Sequence, residues 1–121
     1  MTASKRCTLF AVAAAAAGFT IAGFAGEAPA ASFDCAKAAT PTEHAICDDP
    51  QLSRLDDQTA GLYYSLISGE KAVKEGSVAD VKASQEKFLT RRDACGANYN
   101  CLVDAYTAQI MDLKAAAGEG M

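Results

Sequence analysis

The chain has no tryptophan, three prolines and a single histidine, and beyond Ala25 it has no long apolar run. Each shortage excludes something. With no tryptophan and a thin set of large apolar side chains after residue 30, a domain of this size buries too little surface to rest on packing alone. His44 stands three positions before Cys47, yet no paired Cys-x-x-Cys or His-x-x-x-His spacing accompanies it, so the ligand set of a zinc site is missing. No segment alternates apolar and polar residues as a strand does, and neither an internal repeat nor a useful heptad series is present. Basic residues form no stripe, which argues against nucleic acid or an anionic membrane as the partner.

What is present begins with a leader. Lys5 and Arg6 precede an uncharged apolar run from Thr8 to Ala25, and Ala28 and Ala30 supply small residues before the sequence turns polar. That is the layout of a secretory signal peptide over residues 1–30. An uncleaved membrane anchor is the competing reading of a run this long, but the run is rich in Ala and Gly and lacks a second flanking charge cluster. Cys7 lies before the run and Cys35 follows Ser-Phe-Asp, so neither has the small apolar neighbours of a lipidation signal. The expected product is periplasmic or secreted, with no stable membrane anchor after cleavage.

Cleavage removes Cys7 and leaves Cys35, Cys47, Cys95 and Cys101, an even set in an exported chain and therefore a disulfide framework. Without Lys5, Arg6 and Glu27 the remainder carries nine basic and fourteen acidic side chains, a formal charge of −5 that suits a basic partner.

The mature sequence is organised around Gln85 to Leu113. Val81, Gln85, Phe88 and Arg92, with Leu89 beside them, recur at helical spacing, as do Leu102, Tyr106, Ile110 and Leu113. Gly96, Asn98 and Asn100 between them favour a reversal, so Cys95 and Cys101 meet in a stapled helical hairpin. Upstream, Thr40, Pro41 and Glu43 make a capping box with a proline at the first helical position, which predicts a short helix from Pro41 to about Asp48. The irregular lead before it folds back so that Cys35 reaches Cys47. Asp49 and Pro50 open a longer helix with Leu52, Leu55, Leu62, Tyr63, Leu66 and Ile67 on one face and Thr59 in the gap, ending near Ser68 and Gly69. Glu70 to Gly76 reads as a connection, and Ser77 with Asp80 starts the hairpin. The expected fold is all-α: a small, disulfide-stapled antiparallel bundle of three main helices and one short N-terminal helix. The domain spans residues 31–114, the last helix runs from about Cys101 to Lys114, and residues 115–121 form a flexible tail.

Few residues carry chemistry. Asp48, Asp49, Asp56 and Asp57 lack the alternating oxygens and turning glycine of a calcium loop and read as a solvated acidic face. Within Arg91-Arg92-Asp93, one arginine pairs with Asp93 or with an acid of the second helix, while the other faces outward. Tyr64, beside the core-facing Tyr63, is an exposed interface anchor. No catalytic residue, metal or cofactor is expected.

The segments Phe33-Asp-Cys-Ala-Lys-Ala, Thr40-Pro-Thr-Glu, Ala45-Ile-Cys-Asp-Asp-Pro-Gln-Leu and Leu55-Asp resemble the LprI-like lysozyme inhibitor domain family. So do Gln85, Phe88-Leu89, Arg92-Asp-Ala-Cys, Cys101-Leu, Tyr106 and Ile110, and the resemblance runs from Phe33 to Leu113. Phe88 stands where the family often carries Trp, and Gln109 where it often carries Arg. The domain is expected to be monomeric or weakly associating, and the resemblance implies an exported helical domain that binds and inhibits a host or competitor lysozyme, a basic enzyme with an acidic cleft. Cleft occlusion would then fall to the Gly96–Asn100 turn with Tyr99, and to Arg91 or Arg92; these three and Tyr64 are the candidate partner-binding residues. The other reading is a periplasmic envelope protein, or a secreted host-directed one, whose partner is not lysozyme.

Overall fold

The computed structural model describes residues 31–120; Met121 and the expected signal peptide lie outside the described residues. The described chain is all-helical: a 3₁₀ turn at Cys35–Lys37, then α1 (Pro41–Asp48), α2 (Pro50–Ser68), α3 (Val78–Ala94) and α4 (Tyr99–Ala116). Both disulfides pair as the sequence implies, Cys35 with Cys47 and Cys95 with Cys101.

The helix boundaries follow from their caps. Thr40 accepts from the Glu43 amide at 3.1 Å, and Pro41 sets the first turn of α1. Asp49 serves two helices at once. Its amide donates to the Ala45 carbonyl to close α1, and its carboxylate accepts from Gln51 and Leu52 at 2.8 and 3.0 Å to open α2. At that corner the Ser53 hydroxyl donates to the Ile46 carbonyl at 2.6 Å, fixing α1 against α2. Gly69, at φ 81°, ends α2 in the left-handed conformation that side chains resist. Ser77 and Asp80 complete the reciprocal capping box of α3.

The hairpin differs from expectation at both ends of α4. Asn98 accepts from the Cys101 amide at 2.9 Å and so caps the helix, which puts Tyr99 and Asn100 in its first turn rather than in a loop. At the far end α4 runs past Lys114 to Ala116, and Ala117 is buried. The Ala116 carbonyl accepts from Lys74 and Glu75 at 2.8 and 3.1 Å, and Lys71 pairs with Glu119, so the segment expected to be a tail is tied to the α2–α3 connection.

Two apolar clusters divide the bundle lengthwise. Ile46, Leu52, Phe88, Leu102 and Tyr106 fill the cysteine end, with Ala31 against them, and the Phe88 and Tyr106 rings meet at 5.2 Å between centroids. Leu66, Val81, Leu113 and Ala117 fill the other end. The pairing of Leu52 with Leu102 and of Leu66 with Leu113 makes α2 and α4 parallel, with α3 antiparallel to both. Leu89, placed beside the core from its spacing, is 37% exposed.

Candidate functional site

The most densely bonded polar group is Asp56, and it overturns the expectation of a solvated acidic face at that position. Asp56 is 3% exposed. One carboxylate oxygen accepts from the Ser32 amide and hydroxyl at 2.7 and 2.6 Å; the other accepts from the Tyr106 hydroxyl at 2.6 Å and faces the Arg92 guanidinium at 3.6 Å. Four segments therefore converge on one carboxylate: the N-terminal lead, α2, α3 and α4. Arg92 also holds Asp93 through Nε and a terminal nitrogen, at 3.0 and 2.9 Å. The pairing read from sequence, one arginine with Asp93 or an acid of the second helix, is realised with both at once. A charge buried this deeply persists only when paired and hydrogen-bonded, and here all the donors are supplied by the chain itself.

The network gives Tyr106 a measurable signature. Burial pushes its phenol up from the ordinary value, the charge of Asp56 and the hydrogen bond to it act in the same direction, and Arg92 opposes them. In the unfolded chain the phenol ionises near pH 10, whereas the fold keeps it protonated to higher pH. Above that pH the unfolded state binds fewer protons than the folded state, so stability falls as pH rises, by up to about 1.4 kcal/mol per pH unit. The Tyr106→Phe variant, which has no proton to lose, is expected to lose this part of the alkaline decline in urea midpoints measured from pH 8 to 11.5. An identical decline in both proteins would refute the assignment.

The surface above this network is the stapled end. The Thr42 hydroxyl donates to the Gly96 carbonyl at 2.8 Å, so α1 grips the hairpin turn from outside while Cys95–Cys101 closes it from within. Gly96 makes the turn at φ 58°. Tyr99 stands on this clamped corner, 42% exposed. Residues 31–60, which form the lead, α1 and the first half of α2, hold most of the acidic excess: Asp34, Glu43, Asp48, Asp49 and Asp57 stand outside the core against Lys37 and Arg54.

The four candidate partner-binding residues do not gather at one place. Tyr99 lies at the stapled end, whereas Tyr64, 61% exposed, sits twelve positions beyond Leu52 on α2, roughly 18 Å along the axis at 1.5 Å per residue. Arg91 is exposed on α3 and lines a groove against α4. Arg92 is engaged with Asp56 and Asp93, its side chain 12% exposed. Among the described residues no group of three or more His, Cys, Asp or Glu side chains is placed to hold a metal ion, and no helix is long and apolar enough to cross a membrane.

The bonded roles of Ser32, Thr42, Asp56 and Gln109 were not read from the sequence. Asp56 had a signal: it falls four positions after Leu52 and three before Thr59, on the face that Leu52, Thr59 and Leu66 turn inward. Ser32 had none, because its partner lies 24 residues away. Gln109, which stands where the resemblance leads one to expect Arg, is fully buried. It donates to Gln85 at 3.1 Å and accepts from Ser84 at 3.3 Å, so it serves the α3–α4 seam.

No family model matches the chain, and no solved structure matches it. Among curated proteins it is similar to Lipoprotein LprI of Mycobacterium bovis and of Mycobacterium tuberculosis strain H37Rv, 29% identical over 85 residues in each case, covering 68% of this chain. The chain spans 40% of the length of these relatives.

Proposed function

We propose that this chain is an exported binding protein whose stapled end docks on a lysozyme and inhibits it, shielding the cell wall from a host or competitor enzyme. The observation that carries the reading is the clamped corner at Gly96–Cys101, held by Cys95–Cys101 and by Thr42, with Tyr99 exposed on it. A surface that is rigid before binding loses little freedom on docking, and an exposed tyrosine beside it is a suitable anchor. The acidic excess on residues 31–60 would steer the domain toward a basic enzyme. The similarity to LprI and the motif resemblance point the same way, and neither assigns a catalytic role.

The test is a titration of the purified, oxidised chain into a lysozyme assay on bacterial cell walls. Inhibition at a defined stoichiometry, weakening as salt is added, is expected. Tyr99→Ala should raise the inhibition constant tenfold or more, the scale of an interface hot spot worth about 2 kcal/mol, while Tyr64→Ala, at the other end of the bundle, leaves it unchanged. Absence of inhibition against every lysozyme type would reject the reading and direct the search to another partner.

A further inference from the structure

A second feature lies along the α3–α4 seam and is independent of the Tyr99 corner. Between α3 and α4 runs an open groove of about 380 Å³, lined by Asp80, Ala83, Ser84, Lys87, Arg91 and Asp112. Its volume falls within the range of small-ligand sites, and its charges are sorted. Lys87 and Arg91, four residues apart, project from the same stretch of α3. Asp80 lies at the first turn of that helix, and Asp112 faces it from α4, near the level where Val81 packs on Leu113. None of Lys87, Arg91 and Asp112 takes part in an ion pair between described residues. Asp80 spends one carboxylate oxygen on the Ser77 cap and has the other to offer. In the middle, the Ser84 hydroxyl is oriented by the buried Gln109.

We propose that this groove binds a short peptide with free termini, its carboxylate at Lys87 and Arg91 and its ammonium at Asp80 and Asp112. The spacing sets the length. From Asp80 to the midpoint of Lys87 and Arg91 is about nine residues of helix, and from the level of Asp112 about six or seven, so the two charged ends stand roughly 10–13 Å apart at 1.5 Å per residue. An extended chain covers about 3.3–3.6 Å per residue, which makes the occupant a tripeptide or tetrapeptide. Separated charges of opposite sign recognise such a dipolar ligand in one direction only, and Ser84 supplies a hydroxyl to its central amides. The groove is open and its charges are solvated, so binding is weak, on the order of millimolar.

The test uses trialanine as the probe, titrated into the ¹⁵N-labelled chain and followed by amide chemical shifts. Saturable shifts confined to residues around Ser84, Lys87, Arg91 and Asp112 are expected. N-acetyl-trialanine amide, which has the same backbone and no terminal charges, should bind at least tenfold more weakly. Combining Lys87→Ala with Arg91→Ala should weaken trialanine binding by a similar factor without altering the helical circular dichroism, since both side chains are exposed. Asp112→Asn supplies an independent check from the other end of the groove. The proposal is overturned if shifts are absent or lie away from the groove, if the blocked peptide binds as well as the free one, or if the charge variants bind unchanged.

Discussion

Replacing Asp56 by alanine is expected to cost about 3–5 kcal/mol of folding stability, the range for breaking a buried ion pair on one side. The loss is large because the change strands several partners together. Arg92 keeps a mostly buried guanidinium with only Asp93 against it, the Tyr106 hydroxyl loses its acceptor inside the core, and Ser32 loses both of its bonds. Against the roughly 5–15 kcal/mol that holds an ordinary domain, this is enough to leave a small bundle marginal. Urea unfolding followed by circular dichroism measures it. A companion variant separates the charge from the space it fills: Asp56→Leu combined with Arg92→Met removes both ions while keeping apolar volume, and should recover part of the loss. A deficit below about 1 kcal/mol in Asp56→Ala would show that water replaces the lost partners and that the network adds little to stability.

The second large effect concerns the staples. On the chain-entropy account, closing a loop of 12 residues contributes about 3 kcal/mol and one of 6 residues about 2 kcal/mol. Replacing both cysteines of a pair by alanine should therefore destabilise more at Cys35–Cys47 than at Cys95–Cys101. Reduction of both together should remove about 5 kcal/mol and unfold much of the population. The functional order should be the reverse of the thermodynamic one. The Cys95–Cys101 variant loses the clamp on the Tyr99 corner, so its inhibitory titre should fall further than its stability loss accounts for. Equal titres for the two paired variants, at equal folded fraction, would contradict a docking role for that corner.

The fold was legible because its signals are local. Thr40 with Glu43, Asp49 with Pro50, and Ser77 with Asp80 each mark a helix start within four residues, and all three N-caps form, though only Ser77 and Asp80 close the reciprocal capping box; at α1 Glu43 accepts from the Thr40 hydroxyl instead of its amide. The apolar spacing on α4 placed Leu102, Tyr106, Ile110 and Leu113 in the core, where they lie. What failed to show was long-range. Asp56 looked like one more acid in an acidic stretch, because what makes it a buried ion is the arrival of Tyr106 from 50 residues away and of Ser32 from 24 residues on the other side. The same limit explains Thr42, whose acceptor on Gly96 lies 54 positions downstream. At the C-terminal end, Ala115–Ala117 carry no periodic signal beyond alanine itself, and their place in the bundle comes from the α2–α3 connection closing over them.

The carboxylate of Asp56 also imposes an order of events on a chain made from its N-terminus. The Cys35–Cys47 crosslink lies wholly before α2 and is free to close early. The charge at Asp56 must wait for Arg92 on α3 and then for Tyr106 on α4. Until α3 and α4 are in place, Asp56 has only Ser32 against one oxygen, and a compact α1–α2 intermediate would bury a carboxylate whose other oxygen is unpaired. Packing of the first two helices on that face is thus penalised until the second half of the bundle supplies the cation and the phenol that complete the site.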